Sequence, residues 1–124
     1  MLNSNDVNAL GNILDTTFSS GAGWPVSINY TLQGNTLTLR YTTIVHFASE
    51  QSMRNQVQSL AEESMARLND KIANVKKQFK EMTGHAIKIK ELSNRDDLEM
   101  VQATTLSPRK IAYYRRFADL EIDV

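Results

Sequence analysis

The 124-residue chain has no cysteine, two prolines, five glycines and a single tryptophan. Without cysteine there is no disulfide framework, no zinc-finger spacing and no thiol nucleophile. No apolar run approaches the roughly 18 residues that a transmembrane helix needs. The opening stretch MLNSNDVNALGNIL lacks both the basic lead and the continuous apolar segment of a signal peptide. The expectation is therefore a soluble, cytoplasmic protein, not one secreted by a signal peptide, and no membrane partner. There is no G-x-S-x-G, phosphate-loop or H-x-x-x-H spacing. No catalytic, cofactor-binding or metal-ligating residue is assigned, and no cofactor is expected.

An excess of one charge is missing too: 14 basic side chains balance 14 acidic ones. A domain that lives on phosphate contacts usually carries a clear basic excess. Here the excess is only local. Residues 51–90 hold eight basic and four acidic side chains, against one and three before them and five and seven after them.

What is present reads as one domain, 1–124, with the 41% hydrophobic content of an ordinary globular chain. Residues 4–18 repeat Val7, Leu10, Leu14 and Phe18 at helical spacing, with Ser4 or Asn3 as the cap. SSGAGWP then interrupts, and Pro25 pushes Trp24 toward an extended conformation. From Val26 the period becomes two: Val26, Ile28, Tyr30 and Leu32 share a face. Gly34-Asn35 is a hairpin turn, and Leu37, Leu39, Tyr41, Thr43, Val45 and Phe47 line the returning strand. The turn sets Leu32 opposite Leu37, Tyr30 opposite Leu39 and Ile28 opposite Tyr41.

Ser49 is a suitable cap for a segment with no Gly or Pro until Gly84. In it Ala61, Met65, Leu68, Ile72, Val75, Phe79 and Met82 advance by fours and threes, an amphipathic stripe. A helix this long spans about 50 Å, more than the ~35 Å diameter of a compact domain of this size. Either it kinks near Asn69-Asp70, or Met65, Leu68, Ile72, Val75 and Phe79 form an interface with a partner, a second copy included.

Three extended segments are expected next: HAIKIKEL, then LEMVQATTL after a polar turn at SNRDD, then the alternating FADLEIDV extended back to about Lys110. That extension places Arg116 on the apolar side. A helix starting at Ser107-Pro108 is the rival. The fold class is α+β in the order α-β-β-α-β-β-β, an antiparallel sheet with one long amphipathic helix.

Within RKIAYYRRF, Ile111, Tyr113, Arg115 and Phe117 would face one way and Lys110, Ala112, Tyr114 and Arg116 the other. That division argues against a single stacking platform for bases. Lys76, Lys77, Lys80, Lys88 and Lys90 read first as a solvated face, and otherwise as one basic patch around the helix end and the next strand. With Tyr113, Tyr114, Arg115 and Arg116 they are the residues that a nucleic-acid-binding accessory factor would use. Asp96, Asp97 and Glu99 read as solubility residues at a turn tip. A small enzyme built around His46 or His85 is the third reading.

The segment SPRKIAYYRRFADLEIDV, after KQFKEMTGHAIKIKEL, resembles small structural proteins of T4-like tailed phages. The resemblance covers about a third of the chain, rests on no diagnostic motif and transfers no site residue. It implies a role in a virion or its assembly. The functional expectation is a non-enzymatic structural or assembly protein acting through protein–protein contacts, as a homo-oligomer or in a larger assembly.

Overall fold

A computed structural model describes residues 2–18, 27–101 and 110–124. Its elements are α1 (Ser4–Phe18), β1 (Ser27–Gln33), β2 (Thr36–Phe47), α2 (Glu50–Thr83), β3 (Lys88–Val101) and β4 (Lys110–Asp123). The four strands form one antiparallel sheet in the order β1-β2-β4-β3. Both helices lie on one of its faces, so the class is α+β. The expectations at Trp24, Pro25 and Val26, the end of LEMVQATTL and the Ser107-Pro108 helix start fall outside the described residues.

Local chemistry accounts for the element ends. Asn3 caps α1, its Oδ1 accepting from the Asp6 N–H at 2.8 Å. Ser49 is extended and its Oγ accepts from the Ser52 N–H, while Gly84 takes the left-handed conformation and donates its N–H to the Lys80 carbonyl. Gly34 sits at φ 62° in the β1–β2 turn, and the pairs Leu32–Leu37, Tyr30–Leu39 and Ile28–Tyr41 form as expected.

Two expectations change. SNRDD is not a turn: β3 runs unbroken from Lys88 to Val101, with a bulge between Glu91 and Ser93. Among the described residues two strands therefore follow α2, not three. Each polar side chain of that stretch has a partner on β4. Ser93 Oγ donates to Asp119 at 2.8 Å, Arg116 Nε donates to Asn94 Oδ1 at 2.6 Å, and Arg95 Nη1 lies 2.9 Å from Asp119. Asp96 and Asp97 lie 3.8 Å from Arg116 and Arg115, so the supposed turn-tip carboxylates are strand residues.

The second change concerns the helix. α2 is continuous for 34 residues, about 51 Å, and Asn69 and Asp70 are exposed within it. No overhang results, because β3 and β4, at 14 residues each, extend about 46 Å. The sheet is as long as the helix, which the diameter of a rounded domain did not anticipate. Leu68, Val75 and Phe79 lie in the chain's own core, and Ile72 packs half-buried against it. Met65 stays 39% exposed because the inward position is taken by Ser64, whose hydroxyl donates back to the Ala61 carbonyl. In α1, Val7 faces out and Ile13 takes the buried position.

Candidate interaction surface on the open sheet face

Strand alternation turns Leu37, Leu39, Tyr41, Val45, Ala112, Tyr114, Ala118 and Leu120 toward the helices, where all are buried. The intervening residues form the opposite face, which no described element covers. β4 is central, so its outward row of Ile111, Tyr113, Arg115 and Phe117 occupies the middle of that face. The division of RKIAYYRRF between two faces is thus as expected. Tyr114 is buried, and Arg116 reaches only 11% side-chain exposure among Asn94 and Asp96 on the helix side.

Neighbouring strands complete the surface. Arg40 of β2 and Arg95 of β3 flank Phe117 as its register partners. The Arg95 guanidinium stands 4.7 Å from the Phe117 ring centroid, and Arg115 stands 5.4 Å from that of Tyr113. A shallow hollow of about 410 Å³ lies beside them, lined by Asn29, Thr31, Thr38, Arg40 and Phe117. The cations are matched from within the sheet: Arg115 binds Glu99 at 2.7 Å, and Arg95 binds Asp119.

Asp119 ties β2, β4 and β3 together. It accepts from Ser93 on β3 and from Thr38 on β2, both at 2.8 Å, and pairs with Arg95. Those hydrogen bonds, Ser93 first and Thr38 next, hold its carboxyl below the usual carboxylate range.

The lysines do not make one patch. Lys76, Lys77 and Lys80 are exposed on α2, on the helix side. Lys88 and Lys90 stand on the open face, opposite Asp123 and Glu121. Tyr114 and Arg116 are withdrawn from solvent, so the nine residues that the alternative nucleic-acid reading would use are spread over both faces and the core. His46 is exposed, and its carbonyl accepts from Gln56 Nε2; His85 pairs with Asp6. Among the described residues no group of three His, Cys, Asp or Glu could hold a metal ion, and no helix is long and apolar enough to cross a membrane.

Alternation in the sequence identified the β4 row but not its flanks. Arg40 and Arg95 reach Phe117 only through the strand order, which local pattern does not encode. No protein-family model, curated protein or solved structure matches the chain.

Proposed function

We propose that this chain is a non-enzymatic structural or assembly subunit that works through protein–protein contacts, with the open sheet face as its principal contact surface. The observation that carries the reading is the central row of Ile111, Tyr113, Arg115 and Phe117, partly exposed on the sheet with arginines on either side. Aromatic residues and arginine are the types enriched at protein interfaces. The charge balance of the face favours a protein over a polyanion. A phosphate backbone would have to displace Glu99 from Arg115 and Asp119 from Arg95. The resemblance to tailed-phage structural proteins supplies the setting, a virion or its assembly intermediates.

The test is the pair of substitutions Tyr113→Ser and Phe117→Ser. The variant should keep the circular dichroism of the wild type and fail to enter the high-mass complex that the wild type enters in its native extract. Equal recovery of both in that complex, or a wild type found only as free protein, would overturn the reading.

A further inference from the structure

β3 is an edge strand. It pairs with β4 on one side and, among the described residues, with no strand on the other. Such a row of backbone N–H and C=O groups is a template for another strand, and proteins commonly blunt it with charges and bulges. β3 has both, but on the open face its charges are sorted by sign. Lys88, Lys90 and Arg95 come first there, then Asp97 and Glu99, while Glu91 and Asp96 stand on the helix side. That arrangement repels many strands. It attracts an antiparallel copy of itself, because antiparallel pairing sets the basic part against the acidic part.

The bulge decides whether the faces agree. In a regular strand, positions 88 and 90 would stand on the opposite face from 97 and 99. The extra residue between Glu91 and Ser93 reverses the alternation, so all four stand on the open face. We propose that two copies of this chain join through their β3 edges, antiparallel, with Lys88 against Glu99 and Lys90 against Asp97. The same register sets Ile89 beside Leu98 on the helix side, next to Met100, which is 53% exposed. With the bulge residue of each copy left unpaired, its twofold axis passes between the two Asn94 residues, two positions past the bulge. Sliding by two residues one way sets Lys90 against Arg95; sliding the other way sets Lys88 against Val101. The register also brings Glu91 against Asp96, a repulsion that Arg116, 3.8 Å from Asp96, offsets. The product is one sheet continuous across both copies.

The absence of cysteine makes a clean test. Lys90→Cys is prepared in one sample and Asp97→Cys in another, and the two are mixed under mild oxidation. Directly opposed antiparallel residues lie within disulfide reach, whereas two copies of position 90 would be separated by about 20 Å along the ladder. A disulfide-linked dimer should form much faster in the mixture than in either sample alone; equal rates would overturn the proposal.

A second measurement uses charge. Lys88→Glu with Lys90→Glu, and separately Asp97→Lys with Glu99→Lys, should each weaken the dimer at least tenfold by analytical ultracentrifugation. Mixing the two variants should restore a dimer. Failure of the mixture to associate, or a wild type that stays monomeric at the highest attainable concentration, would overturn it. Tyr113→Ser with Phe117→Ser should leave this dimer intact, so the two surfaces fail or stand separately.

Discussion

His85 Nε2 lies 3.1 Å from Asp6 Oδ2, joining the loop after α2 to the first turn of α1. Asp6 is almost fully buried, and the imidazole packs edge-on against Phe79 with ring centroids 5.4 Å apart. Asp6→Ala should cost about 1–2 kcal/mol by chemical denaturation, because a buried hydrogen-bonded carboxylate is lost from a helix start. In a double-mutant cycle with His85→Ala the two losses should not add. Simple additivity would mean that the contact contributes nothing of its own.

Asp119 gives the fold a defined acid sensitivity. A carboxyl whose folded value is depressed adds stability that is complete above the unfolded value of about 3.9 and is lost as pH falls through the folded value. Asp119→Asn should lower stability at pH 7 and make the decline below about pH 4 shallower than in the wild type. Urea midpoints at pH 7 and pH 3 measure both effects. Parallel declines would show that another carboxylate sets the acid limit.

At the other end of the scale, Tyr30 is pushed up to about 12, first by its hydrogen bond to Asp15 and then by burial and the Asp15 charge. A raised value in the folded state means that this contribution is present below the unfolded value near 10 and is lost as pH rises from there through about 12. Ultraviolet titration should show a late-ionising tyrosine whose absorbance change moves to lower pH in Asp15→Asn. An unmoved titration would rule out the bond as its cause.

The helix stripe is tested by contrast. Leu68→Ala should destabilise the chain by roughly 2–5 kcal/mol, the range for a leucine removed from a packed core. Met65→Ala, at an exposed position, should stay within about 0.5 kcal/mol. If Leu68→Ala instead left the monomer's stability unchanged, the stripe would belong to an interface after all.

Gly34→Val should cost roughly 1 kcal/mol or more, since a β-branched residue resists φ 62°. An unchanged denaturation midpoint would contradict the turn geometry.

The contrast between that turn and SNRDD explains what the sequence could reveal. The Gly34-Asn35 hairpin was legible because its turn residues and both alternating faces lie within a few positions of one another. Ser49 and Gly84 marked the helix ends for the same local reason. SNRDD carries every mark of a turn, and only β4, with Arg115, Arg116 and Asp119, makes it a strand. Likewise Ser64 lies in the core where hydrophobic spacing pointed to Met65, because a small residue with its hydroxyl satisfied by its own helix can be buried. On the candidate surface the row from Ile111 to Phe117 was visible as alternation. Its link through Asp119 to Thr38 joins residues 81 positions apart, which no local pattern specifies.

The position of β4 between β2 and β3 also imposes an order of events. β1, β2, α2 and β3 all leave the ribosome before the strand that unites them. Until it arrives, the β1–β2 ribbon and β3 have no sheet contact with each other, and the faces destined for the helices remain partly open. Closing pairs such as Thr36 with Glu121 requires a large loop to be brought together before most of the core forms. The nascent chain therefore passes through a stage with two incomplete edges, β2 and β3, in search of the same strand. At high local concentration, a β4 donated by a neighbouring chain would satisfy them equally well.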